Sequence, residues 1–130
     1  MLLGLGAMPV LLDIYQVGPW ATPDEFGAGA ASIFADYIFA EGIMVDARNG
    51  KRFVNELASR RERSEAEMKC VDQQGKPVMP FGFCSEETTV NHPGFKASFR
   101  EGTVKKFDTV EALAKFYRAP LEPLKQQIAE

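Results

Sequence analysis

"IMVDARNGKRFVNE" (residues 43–56) is the stretch on which the reading of this chain turns. Two short apolar runs flank Asn49-Gly50, the residue pair that best tolerates the positive φ angles of a tight turn, so the stretch predicts a β-hairpin. The period of the sequence changes on either side of it. Upstream, Ile33, Phe34, Tyr37 and Ile38 recur at helical spacing within "AASIFADYIFAEG" (30–42), and Gly42 is placed to stop the helix. Downstream, "LASRRERSEAEMKC" (57–70) interleaves opposite charges and holds few β-branched residues, the pattern of a helix with one wet face.

Further out, "VLLDIYQV" (10–17) mixes β-branched and aromatic residues and predicts a strand, while Gly and Pro punctuate "GPWATPDEFGAG" (18–29) as a loop. On the other side "QQGKP" (73–77) is a turn and "VMPFGFC" (78–84) a short buried strand interrupted by Pro80 and Gly82. Residues 88–102 show no assignable pattern. In "FDTVEALAKFYRAP" (107–120), Asp108 and Glu111 have the spacing of a capping box and Pro120 closes the helix. A last helix in "APLEPLKQQIAE" (119–130) carries Leu121, Leu124 and Ile128 on one side. The expected fold class is α+β, with a hairpin, one or two further short strands and about four helices.

Composition narrows the function classes. A chain of 130 residues holds one domain, and 45% hydrophobic content is that of a globular protein. A net charge of −3 gives no reason to expect a nucleic-acid partner. Cys70, Cys84 and the single His92 cannot complete a four-ligand zinc site, so no metal is expected. The opening "MLLGLGAMPVLL" (1–12) has no basic residue before its apolar run and is too short to span a membrane. The chain therefore reads as soluble, in cytoplasm or periplasm, and its apolar start suggests a piece of something longer. In "GLGAMP" (4–9), Pro9 takes the third glycine place of a dinucleotide fingerprint; "GAGAAS" (27–32) follows a loop and has Ser32 there. No cofactor site is complete in the sequence.

Read together, "GAMPVLLDIYQVGP" (6–19) and "GKRFVNELASR" (50–60) carry a resemblance. The chain resembles the capping, substrate-binding domain of FAD-dependent fumarate and urocanate reductases, from about Leu5 to about Met68. The resemblance implies that residues 1–18 are a hinge strand from an FAD-binding domain and 19–130 the cap. It implies hydride transfer from flavin N5 to an activated carbon–carbon double bond, with a cap arginine giving a proton to the other face. That arginine falls on Arg60, and the acid that relays protons to it on Asp36. Substrate-binding positions fall on Gly18, where the family has histidine, on Ala35, where it has threonine, and on Glu56. The family's relay arginine falls on Phe39. Fewer polar groups imply an unsaturated carboxylate larger and more apolar than fumarate. FAD would be bound outside this chain, which alone would be inactive and would pair into a homodimer through its uncovered apolar side.

Blander readings stand beside these. Arg60 is also a solvated arginine of "RRERSEAE", Asp36 a local hydrogen-bond partner, and Asn55 and Glu56 braces for the next helix. The whole chain is equally a stand-alone α+β binding or interaction module sharing only the cap scaffold.

Overall fold

The computed structural model describes residues 38–89, 99–100 and 102–129. Its centre is β1, Ile43–Asp46, paired antiparallel on one side with β2, Lys51–Arg52, and on the other with β3, Phe81–Phe83. The register sets Val45 opposite Arg52 and Asp46 opposite Lys51 on one edge, and Ile43, Met44 and Val45 opposite Phe83, Gly82 and Phe81 on the other. A middle strand has neighbours on both edges, and here Met44, Val45 and Asp46 are all buried, which explains the short continuous apolar run. The α+β class is as expected.

The hairpin forms where expected, but Ala47–Gly50 connect its strands rather than two residues alone. Asp46 accounts for the extra length. Its carbonyl accepts the amides of Asn49 (3.3 Å) and Gly50 (2.9 Å), and its carboxylate accepts the Arg48 amide (2.9 Å). Only Gly50 of the Asn-Gly pair takes a positive φ, 68°. A Cβ there would lie 2.6 Å from the Pro120 carbonyl oxygen, so space and backbone angle both require glycine. Gly42 ends the helical residues 38–41, its amide bonding the Ile38 carbonyl at 3.0 Å. A Cβ at that position would come within 2.5 Å of the Phe83 carbonyl oxygen, so its stop is also a point of close approach to β3.

α1, Arg60–Met68, starts with a capping box: Ser59 Oγ accepts the Glu62 amide and Glu62 Oε2 accepts the Ser59 amide. A one-turn helix, α2, covers Glu86–Thr89. α3, Val110–Tyr117, begins one residue later than the expected Asp108 cap. Thr109 is the capping residue, in extended backbone with its hydroxyl accepting the Ala112 amide at 3.1 Å. Arg118 ends α3 in the left-handed region (φ 56°), and α4, Leu121–Ala129, follows Pro120 directly.

The core joins Val45, Ala47 and Phe81 of the sheet side to Leu113, Ala114 and Leu124 of α3 and α4. Phe81 and Tyr117 stack with ring centroids 4.3 Å apart. Of the apolar side expected on α4, Leu124 is fully buried and Leu121 packs against the core, but Ile128 is 46% exposed. α4 also reaches the hairpin through a polar contact, Gln127 Oε1 accepting the Arg52 amide at 3.0 Å. The expected strand 10–17, the loop 18–29 and the first turns of the 30–42 helix lie outside the described residues. Among the described residues no helix is long and apolar enough to cross a membrane, and no acidic, Cys or His cluster could hold a metal.

Candidate functional site: the mount of α1

Glu56 is where the site begins, because a buried carboxylate must find donors. It is 2% exposed. Its Oε1 accepts the Met44 amide at 2.7 Å, and Arg52 Nε donates to both oxygens at 2.9 Å. The hairpin thus ends on an anchor tied to its own two strands. A tight turn follows, with Asn55 accepting the Leu57 amide on its side chain (3.0 Å) and the Ala58 amide on its carbonyl (2.9 Å). Ser59 then caps α1, so Arg60 is the first helical residue, exposed at the end of a mount held on both sides.

The arginines of "RRER" do different things. Arg61 pairs with Glu65 at 2.7 Å on the wet face. Arg63 turns inward and is 8% exposed. Its Nη1 donates to the Glu56 carbonyl at 3.2 Å, and its guanidinium carbon sits 3.6 Å from the centroid of the Phe39 ring. The charge pattern alone does not separate these residues. α1 offers only Ala66 and Met68 as apolar residues, which signals that something charged covers its inner face but not which arginine does so.

A second buried carboxylate, Asp46, lies at the far end of β1. Burial would raise it, but hydrogen bonds from Arg48 outweigh that and hold it below the usual carboxylate range. Arg48 also donates to the Val71 carbonyl, tying the hairpin to the turn after α1. Glu67 is pushed up to about 7 by burial. Burial raises both thiols, so Cys70 and Cys84 are neutral near pH 7 and unsuited to nucleophilic work.

A cavity of about 390 Å³ opens between β3 and α3, walled by Phe83, Phe99, Phe107 and Tyr117. Two of its polar neighbours have other partners to hand: Lys106 pairs with Glu86 at 2.8 Å, and Thr109 accepts the Ala112 amide as the cap of α3. Glu56, Arg60 and Arg63 do not line it.

Of the expected site residues, Glu56 is buried under the hairpin and Arg60 is exposed four residues later at the start of α1, while Gly18, Ala35 and Asp36 lie outside the described residues. FAD needs a glycine-rich turn running into a helix start with open amides for its pyrophosphate. The starts of α1 and α3 are instead closed by Ser59 and Thr109. Neither of these two helix starts offers such a turn.

No family model matches the chain, and no solved structure matches it. It is 47% identical over 126 residues to the acrylate reductase flavoprotein subunit of Shewanella woodyi. That alignment covers 97% of this chain and 25% of the relative, so the chain spans about a quarter of the length of the curated relative it matches. Over nearly all its length, then, this segment is similar to one stretch of a flavoprotein reductase subunit.

Proposed function

We propose that this chain is the substrate-capping part of a flavin-dependent reductase that saturates the carbon–carbon double bond of an unsaturated carboxylic acid, with Arg60 as its proton donor. The similarity to a reductase flavoprotein subunit carries the reading, because an alignment over 126 of the residues runs through the block that mounts Arg60. Residues 1–18 act as the hinge and 19–130 as the cap. Polypeptide beyond these residues would hold the FAD, which once reduced would supply the hydride for the carbon β to the carboxylate. The carbon α to it then needs a proton from the opposite face. A guanidinium parts with a proton reluctantly, and does so usefully only when fixed at the reacting carbon and promptly reprotonated. The anchored turn from Glu56 to Ser59 supplies the fixing, and Asp36 is the proposed source of reprotonation.

The substrate class follows from what this site lacks. By the resemblance, Gly18 and Ala35 stand where polar residues serve a dicarboxylate, which points to an acid with a single carboxylate. The relative is named for acrylate, an acid smaller than fumarate, so the missing polar groups are read as loss of a second carboxylate site and not as room for a larger acid. Glu56 acts at one remove by holding the turn that carries Arg60. The test uses the full-length protein containing this segment, with a reduced artificial electron donor and acrylate or fumarate as acceptor. Acrylate is expected to be reduced faster than fumarate, and Arg60→Lys to lower kcat on the order of a hundredfold or more. An unchanged rate in Arg60→Lys removes Arg60 from the chemistry.

A further inference from the structure

Arginine is rarely buried, because its guanidinium stays charged and carries a full set of donors that need partners. Arg63 is buried, and it touches two elements besides its own: the Phe39 ring on the helical residues before β1 and the Glu56 carbonyl after the hairpin. Both contacts lie around the first turns of α1. Apolar packing does little to fix this helix, since of its two apolar residues Met68 is 65% exposed. Arg60 and Arg63 are neighbours at i, i+3 on one helix face, so any roll of α1 that releases Arg63 swings Arg60 with it.

We propose that Arg63 is a positioning residue: clamped between the face of Phe39 and the Glu56 carbonyl, it sets the roll of α1 and so aims Arg60 at the reacting carbon. This rests on the proposed function and adds to it the residue that supplies the aim. The clamp needs a planar cation, since lysine is a point charge on a flexible stem and cannot both stack and donate in this way. Phe39 is the other jaw. Its contribution is a ring face, which leucine lacks even though it keeps apolar bulk.

The experiment compares the full-length flavoprotein with its Arg63→Lys, Arg63→Met, Phe39→Leu and Arg60→Lys variants. Flavin content, melting, kcat and KM for acrylate, and the solvent deuterium isotope effect on kcat are measured for each. Arg63→Lys and Phe39→Leu are expected to keep flavin and cooperative melting, hold KM within about twofold, and lose about ten- to a hundredfold in kcat. The isotope effect should rise as proton delivery becomes limiting, a change that general loosening would not produce. The double variant Arg63→Lys/Phe39→Leu should be little worse than either single one, because both break one clamp. Wild-type kcat in Arg63→Lys, with Arg60→Lys inactive, overturns the role of Arg63 and leaves the proposed function standing. Full activity in Arg60→Lys overturns the proposed function and the aiming role with it. Should the Arg63 variants fail to fold, Phe39→Leu decides, and wild-type kcat there overturns the clamp.

Discussion

Glu67, half-buried on α1, shows how one residue can make stability depend on pH. Its carboxyl is raised from 4.5 to about 7 by burial, so the folded chain holds its proton more tightly than the unfolded chain does. Between those values the folded state binds more protons, and stability falls as pH rises through that window. Glu67→Gln should therefore be the more stable protein at pH 8, on the order of 1 kcal/mol after allowance for solvent screening, with the gap closing below pH 4.5. Urea midpoints measured across that range would show it, and a gap independent of pH would contradict it. Glu56 predicts a different effect. Glu56→Ala strips the buried Met44 amide of its acceptor and should lose about 2–3 kcal/mol in urea unfolding, whereas Glu56→Gln keeps an acceptor and should lose less. At this scale the sequence was least legible. Glu56 read more readily as a brace than as a site residue, and nothing in "RRER" told Arg63 from its neighbours. What separates them is contact with Phe39, which lies on another element.

Helix ends carry the predictions that belong to whole elements. Arg118 closes α3 at φ 56°, a conformation that a side chain makes costly and that glycine adopts freely. Arg118→Gly should raise stability by about 0.5–1 kcal/mol, read as a shift in the urea midpoint without a change in slope. Ser59→Ala removes half of the capping box on α1 and should lower stability by about 1 kcal/mol. If that first turn also carries Arg60, the same variant should lower kcat in the full-length protein. Elements were legible where their signals are local. Asn49-Gly50 marked the hairpin, "QQGKP" the turn, and interleaved charge the helix that begins at Arg60. Lengths and caps were less so. Asp46 gathers the loop amides and stretches the connection, and Asp108 and Thr109 are both good caps, between which only the extended backbone of Thr109 decides.

For the molecule as a whole, apolar side chains remain in solvent beside the mount: Leu57, in the turn leading to Arg60, is 79% exposed. Met68 and Met79 are exposed too. The isolated chain should therefore self-associate, and sedimentation velocity at rising concentration should show growth from monomer to dimer; a clean monomer at high concentration would count against the capping role. The same preparation is expected to emerge without flavin absorbance, since neither "GLGAMP" nor "GAGAAS" completes a dinucleotide fingerprint. The fold class was legible because it needs only the periods of the segments. The assembly was not, because it depends on contacts between distant positions. Gln127 is the plainest of these, meeting the Arg52 amide across 75 positions, with Pro120 set against Gly50 nearby. The last helix is thus a latch on the hairpin. Any fraying of the carboxyl-terminal turn should be felt at once by a proton in the middle of the chain, and hydrogen exchange at Arg52 becomes a remote gauge of whether that latch is shut.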